Sequence, residues 1–375
     1  VAMKFKDLAR WLEEPIEGVP ALENRRLNAV RGFFARLTTP LIPDDYLHLV
    51  NPLWSARELR GRVVEVRPET ADSATLVIKP GWGFQFDYQP GQFVGIGLHI
   101  NGRWHWRSYS LVSPPARDEG VISIAVKAMP EGFLSTHLVG GVKPGTIVRL
   151  AAPQGDFTLP EPPPEKILFV TAGSGITPVV GMLRTLARRD EIADIAHIHS
   201  ARKSDDIMFR AELSEYEERA GYQLHLQLTT EDGKFMPEML DEHFPDWRER
   251  EVWACGPEAL LDNLEVYMEE QGRAGHLHVE RFTIDRTANA GEGGTVKFRR
   301  SGKAVEVDGA TTVLEAGEKV GVRMPFGCRM GICHTCVAEL SEGFVRDLRS
   351  GRESNPGERV KTCVNTPAGN CTFEL

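Results

Sequence analysis

The chain has 375 residues, 41% hydrophobic and 26% charged, a balance that fits two or three globular domains and excludes a fibre or a disordered tail. Its net charge of −9 argues against a nucleic-acid binder, which carries a basic footprint. The acidity is local: residues 161–294 hold 14 Lys+Arg against 27 Asp+Glu (−13), while 1–60, 61–160 and 295–375 stand at +1, +1 and +2.

No apolar run reaches the ~18–20 residues that span a bilayer, and the N-terminus lacks a signal-peptide pattern, so a cytoplasmic chain is expected. Residues 1–55 read as a helical extension. Within it, 24–37 places Leu27, Val30, Phe34 and Leu37 at helical spacing beside Arg25, Arg26, Arg31 and Arg36. Such a helix could lie on an anionic membrane or a partner, although packing of its apolar stripe on the body of the protein is the plainer expectation.

Across 56–162, β-type runs at 62–67, 74–79, 92–100, 107–112, 121–127 and 146–150, broken by Pro-Gly turns, predict an antiparallel barrel. Pro160-Glu161-Pro162-Pro163-Pro164-Glu165 reads as a stiff linker. From 163 to 285, strands at 167–171, 195–200, 223–229, 251–254 and 276–280 alternate with helices at 176–189, 205–220 and 257–271. That alternation predicts a parallel sheet flanked by helices, whose ligands sit beyond the carboxyl ends of the strands. His197/His199 and His276/His278 alternate along these strands and read as sheet-face residues. A Gly-rich linker covers 286–294, and 295–375 form a compact domain around cysteines.

Five of the six cysteines lie in the last 48 positions. Cys328, Cys333 and Cys336 have the spacing C-x4-C-x2-C, and Cys363 follows after 26 residues, the plant-type ligand pattern of a [2Fe–2S] cluster. Thiolates suit ferric iron, while Gly327 and Gly331 let backbone amides approach the sulfurs. A zinc knuckle would pair its ligands as C-x2–4-C on both sides, which this chain does not. His334 reads as a solvent-facing loop residue and Cys371 as a small buried hydrophobe.

Six further segments fall at strand ends or helix starts. They are Arg107-Ser108-Tyr109-Ser110, Gly132-Phe133-Leu134-Ser135-Thr136, Gly173-Ser174-Gly175-Ile176-Thr177-Pro178, Ser200-Ala201-Arg202-Lys203, Ala254-Cys255-Gly256-Pro257 and Glu280-Arg281-Phe282. An arginine beside a tyrosine suits a pyrophosphate beside a flat ring, and glycines opening a helix suit a phosphate. In this order the segments resemble the ferredoxin–NADP reductase family, followed by a plant-type ferredoxin domain.

The resemblance implies a multidomain chain: an antiparallel β-barrel for FAD, an α/β parallel-sheet nucleotide domain and an α+β ferredoxin (β-grasp) domain. It implies that Arg107, with Ser108, meets the flavin pyrophosphate, that Tyr109 packs on the isoalloxazine, and that Ser110 lies near flavin N5. Gly132, Ser135 and Thr136 would hold the pyrophosphate, and Val126 and Lys127 the adenosine side. FMN stays open as the alternative flavin. Gly173, Ser174, Gly175, Thr177 and Pro178 would hold the nicotinamide nucleotide, Cys255 with Gly256 and Pro257 would border nicotinamide C4, and Phe282 would neighbour the flavin ring. Ser110 and Cys255 are then the catalytic positioning pair.

Arg202 and Lys203 beside Ser200, with no acid among them, favour the 2′-phosphate of NADPH. The extension, with Pro40-Leu41-Ile42-Pro43-Asp44-Asp45-Tyr46 and Asn51-Pro52-Leu53-Trp54, resembles the subgroup that serves acyl-CoA desaturases. The expected path runs from NADPH through FAD and [2Fe–2S] to a separate iron enzyme. That enzyme is a membrane desaturase, or alternatively an aromatic or alkane oxygenase; a free-flavin reductase and a non-enzymatic Fe–S protein are the other readings. Arg323 and Arg329 near the cluster loop, in a domain at +2, lead us to expect docking on an acidic surface.

Overall fold

The computed structural model describes residues 50–55, 58–100, 103–115, 120–129, 132–192, 194–282, 290–326, 331 and 335–375. The basic segment over 24–37 and the loop residues Cys328, Arg329, Cys333 and His334 lie outside the described residues. The chain falls into two compact units: one holds the residues up to Val94 with Tyr109–Glu280, the other Gly95–Ser108 with Arg281–Leu375.

The first sheet has six strands, β1 (Arg60–Thr70), β2 (Ser73–Pro80), β3 (Phe93–Ile100), β4 (Arg103–Ser110), β5 (Ile122–Lys127) and β6 (Ile147–Leu150), in the order β4-β3-β6-β1-β2-β5. An antiparallel bridge from Leu111 to Ile124 returns the chain after β4 to β5, which closes the expected barrel. β4 ends at Ser110, where the sequence predicted a strand through 112, because Leu111 and Val112 turn away to make this return. Helix α1 (Phe133–Gly140) packs on β5.

The second sheet is parallel throughout: β7 (Ile167–Ala172), β8 (Ile195–Ala201), β9 (Tyr222–Leu228), β10 (Glu251–Cys255) and β11 (Leu277–Glu280), in the order β11-β10-β7-β8-β9. Every residue of β8 is buried, as in a strand covered on both faces. Helices α2 (Ile176–Arg189), α3 (Arg210–Glu217), α4 (Leu240–His243) and α5 (Glu258–Glu270) supply the cover. The strand order reverses between β7 and β10, so a crevice opens at their carboxyl ends.

The helix predicted over 205–220 begins only at Arg210. A 3-10 turn over Ser204–Asp206 precedes it, and Phe209 takes a left-handed φ of 59° that breaks any continuous helix. His197 and His199 are sheet-face residues as expected, but fully inside. Thr171 Oγ1 lies 2.8 Å from a ring nitrogen of each, and the other nitrogen of His197 lies 2.7 Å from Tyr222 Oη. Burial holds both imidazoles neutral, His199 down to about 4.

Helix α2 joins the parallel sheet to the barrel. A Cβ at Gly181 would stand 2.4 Å from the Leu111 carbonyl oxygen, so only glycine allows this approach. One turn on, Arg184 donates to the Val112 carbonyl at 2.9 Å and forks onto the Glu212 carboxylate at 2.8 and 2.7 Å. Around this clasp, Val112, Ala125, Phe157 and Leu159 of the barrel share one apolar core with Val179, Met182 and Leu186 of α2.

The C-terminal part is α+β. Strands β12 (Gly294–Phe298), β13 (Lys303–Val307), β14 (Val337–Glu342), β15 (Val345–Asp347), β16 (Glu353–Ser354), β17 (Arg359–Lys361), β18 (Asn365–Pro367) and β19 (Cys371–Phe373) make a mixed sheet, β13-β12-β19-β14-β17, and a small one, β16-β15-β18. Helix α6 (Val313–Lys319) starts with a capping box: Glu315 N donates to Thr312 Oγ1 at 3.3 Å, and Thr312 N donates to Glu315 Oε2 at 3.1 Å. Cys371 is buried in this core with Phe298 and Phe373, as the sequence led us to expect.

Arg184→Ala removes the clasp and leaves the half-buried Glu212 without its cation. A loss of about 2–3 kcal/mol is expected, seen as a lower midpoint in chemical denaturation. A midpoint within error of the parent would contradict this role.

Candidate functional site

At the crevice, the chain leaves β7 through Gly173, whose φ is +54°, and turns through Gly175 into α2. A Cβ at Gly175 would stand 2.1 Å from the Cys255 carbonyl oxygen and 2.8 Å from Gly256 N. The two loops named from sequence, 173–178 and 254–257, are thus pressed together by glycine. Thr177, buried, donates its hydroxyl to the Ser174 carbonyl at 2.9 Å, and Pro178 continues the helix without needing an amide partner. A phosphate at this turn would meet helix-start amides.

Cys255 ends β10, fully buried, and its register partner on β11 is Glu280. Burial, with Glu280 adding to it, pushes the Cys255 thiol well above its ordinary value. A buried neutral thiol is not an activated nucleophile. Desolvation pushes the Glu280 carboxyl up to about 8, and its Oε2 is buried with no hydrogen-bond partner among the described residues. At neutral pH Glu280 therefore presents a proton to the crevice instead of a negative charge. The sequence reading gave the role at this strand end to Phe282, which is 41% exposed. The signal that finds Glu280 is an acid in register with Cys255 at the sheet's carboxyl end.

At the far side of the sheet, Ser200 is buried at the end of β8, and Thr230 fixes the next turn by donating its hydroxyl to the Arg202 carbonyl at 2.7 Å. The Arg202 side chain is 74% exposed and pairs with Asp206 at 3.3 Å, while Lys203 is exposed. The acid absent from 200–203 thus arrives four residues after Arg202.

On β4, Ser110 is buried, and the hydroxyls of Ser108 and Ser110 have no hydrogen-bond partner among the described residues. Buried hydroxyls are paired in native proteins, so these atoms fit a bound polar ring. Arg107 extends an exposed guanidinium that donates to the Trp106 carbonyl at 2.9 Å, and Tyr109 is half-buried. Ser135 and Thr136 stand at the turn into α1. Ser135 Oγ accepts from Met129 N at 3.2 Å and donates to the Gly132 carbonyl at 3.0 Å, and Thr136 Oγ1 donates to the Met129 carbonyl at 3.3 Å. Both hydroxyls shape the turn before α1. Gly132 is needed there because a Cβ would meet Ser135 Oγ at 2.3 Å. Val126 is buried on β5, and Lys127 pairs with Asp72 at 3.0 Å.

In the C-terminal part, β14 and β17 pair with Val337 opposite Lys361, and Thr362 donates both its amide and its hydroxyl to the Cys336 carbonyl. This brings the buried Cys336 and Cys363 sulfurs to 3.2 Å, near enough for both to ligate one metal ion. The donor set is soft and anionic, as iron–sulfur ligation requires.

Comparison with known proteins agrees with this geometry. The chain matches the oxidoreductase FAD-binding domain over residues 62–159, the oxidoreductase NAD-binding domain over 169–265 and the 2Fe-2S iron-sulfur cluster binding domain over 296–368. It is 59% identical to an NADPH oxidoreductase of Mycobacterium tuberculosis, over 93% of this chain and 92% of that protein. The chain belongs to the ferredoxin–NADP reductase family with a C-terminal [2Fe–2S] domain.

It is also 29% identical to a glycine betaine monooxygenase reductase subunit of Chromohalobacter salexigens, over 86% of this chain and 96% of that one. Phthalate dioxygenase reductase shares the fold, with a TM-score of 0.56 at 23% identity over 84% of this chain and 97% of that chain. This family member is an NAD(P)H-dependent oxidoreductase that moves electrons through FAD to a [2Fe–2S] cluster. When bound, the flavin accepts a hydride and releases electrons singly to the cluster, while the protein sets distance, orientation and potential.

Two outcomes follow. Gly175→Ala forces the 173–178 turn away from Cys255, and flavin bleaching by NADPH in a stopped-flow should slow by about 10²-fold with FAD still bound; undiminished bleaching would contradict the assignment. The second concerns pH. Unfolded, Glu280 releases its proton near 4.5; folded, it does so near 8, so its contribution to stability is full below 4.5 and is lost as pH rises through 8. Glu280→Gln should flatten that decline in denaturation midpoints, and an unchanged slope would show that the carboxyl ionises normally.

Proposed function

We propose that NADPH is the electron donor and that the acceptor is a separate iron oxygenase, with a membrane acyl-CoA or fatty-acid desaturase as the favoured class. The donor reading rests on the exposed Arg202 and Lys203 at the end of β8, where an adenosine ribose reaches in such sheets. Asp206 holds Arg202 from below and leaves Lys203 to meet a 2′-phosphate. The name of the relative at 59% identity agrees. In this reading Arg107, Ser108, Tyr109 and Ser110 hold FAD with Gly132, Ser135, Thr136, Val126 and Lys127, and Cys328, Cys333, Cys336 and Cys363 hold the cluster.

The desaturase class rests on the resemblance of the extension's motifs at 40–46 and 51–54, and the end of that extension is built into the barrel. Leu53 and Trp54 are buried, Trp54 stacks on Trp82 with ring centroids 5.2 Å apart, and Trp82 N donates to the Leu53 carbonyl at 3.2 Å. A Cβ at Gly81 would meet that carbonyl oxygen at 2.4 Å. The last residues of the extension, Leu53 and Trp54, are therefore anchored to the flavin barrel. The second reading, a reductase for a soluble oxygenase, is favoured by the monooxygenase reductase relative.

Desaturase-containing membranes depleted of their own reductase should convert a saturated acyl-CoA only when NADPH and this chain are both added. Failure there, with support of a purified soluble oxygenase instead, would select the second reading. In the same assay Cys333→Ser should end transfer to cytochrome c while NADPH still bleaches the flavin.

A further inference from the structure

One cation that neither the cysteine motif nor the flavin path uses, Arg349, lies against Gly331. Gly331 lies between Cys328 and Cys333 with φ +75°, and a Cβ built on it would stand 2.8 Å from Arg349 Nη1 and 2.9 Å from Arg349 Cζ. The third neighbour is Val364 Cγ2 at 3.0 Å, the residue after Cys363. The guanidinium and the Val364 side chain thus both lie against Gly331.

Its placement is built. β15 pairs with β18 with Asp347 opposite Asn365, and Leu348 N donates to the Val364 carbonyl at 2.8 Å, which fixes the backbone of 347–349 beside Cys363. Arg349 then folds back onto Asp347: Nε donates to Oδ1 at 3.2 Å, Nη2 to Oδ2 at 2.8 Å, and the Arg349 amide to Oδ1 at 2.8 Å. The acid grips one edge of the guanidinium and leaves Nη1 and Cζ against Gly331. The side chain is 39% exposed, and that of Asp347 17%, so the field at the loop is only partly screened by water.

We propose that Arg349 is a positioning and potential-setting residue of the electron path, which raises the reduction potential of the cluster and so draws electrons out of the reduced flavin. One electron added to the cluster adds one negative charge, with no bond made or broken, and the flavin that the activity already reduces supplies it. A fixed cation on the ligand loop favours the more negative state. Asp347 holds that cation in place while partly cancelling it.

The inference rests on the [2Fe–2S] reading, and an EPR-monitored redox titration of the full chain with FAD and cluster loaded separates the two. A parent protein without iron or a reduced-cluster signal refutes the cluster reading and the proposal with it. Given the signal, Arg349→Gln should shift the electron partition about tenfold toward the oxidised cluster, which is 59 mV for a one-electron couple. Arg349→Lys keeps the charge and should stay within about threefold of the parent. Asp347→Asn removes the cancelling charge and should shift the partition the opposite way. A merely structural role would move Arg349→Gln and Asp347→Asn in the same direction, and that result overturns the proposal, as does an unshifted Arg349→Gln with full iron content. If Arg349→Gln loses its iron, Asp347→Asn decides: a rise supports the proposal and a fall or no change overturns it.

Discussion

Helix α2 carries the constraint on which the rest depends. Its first turn is pressed against Cys255 through Gly175, and its middle is pressed against Leu111 through Gly181, with Arg184 tying Val112 to Glu212. Leu111 follows directly on Ser110 at the end of the flavin strand. One rigid element thus sets the nucleotide crevice relative to that strand. Hydride transfer needs reacting atoms within about 3–3.5 Å, a tolerance that only packed backbone, without intervening side chains, holds.

Electrostatics divides along the same lines. The nucleotide segment is acidic at −13, yet burial keeps two groups at the ends of β10 and β11 neutral: Glu280 holds its proton to about 8, and Cys255 stays a thiol. In the proposed reading, anion binding falls to the amides at the start of α2 and to Arg202 and Lys203. In the C-terminal domain, at +2, the charge that matters is local too, with Arg349 laid on the ligand loop and oriented by Asp347.

Much of this was legible in the sequence because the signals are strong where function is strong. The alternation of strand and helix gave the parallel sheet, the cysteine spacing gave the cluster, and Gly175, Cys255 and Ser110 were named from short motifs whose positions the fold brings to strand ends. What escaped depends on tertiary neighbours. Gly181 and Arg184 look like ordinary helix residues until Leu111 and Val112 are set beside them, and Glu280 acquires its meaning from burial against Cys255. The hydrogen bonds of Ser135 and Thr136 to Met129, which shape the turn before α1, likewise depend on the folded turn. The break at Phe209 was illegible because left-handed backbone in a non-glycine residue leaves no composition signal.

The most direct measurement of the central claim is anaerobic stopped-flow reduction of the flavin by NADPH in Gly181→Ala, with FAD content and NADPH affinity measured alongside. If α2 sets the crevice against the flavin strand, the added Cβ lifts the helix off Leu111, and flavin bleaching slows by about 10²-fold while both cofactors remain bound. Bleaching at the parental rate, with the variant folded and loaded, would show that the position of α2 does not govern hydride transfer.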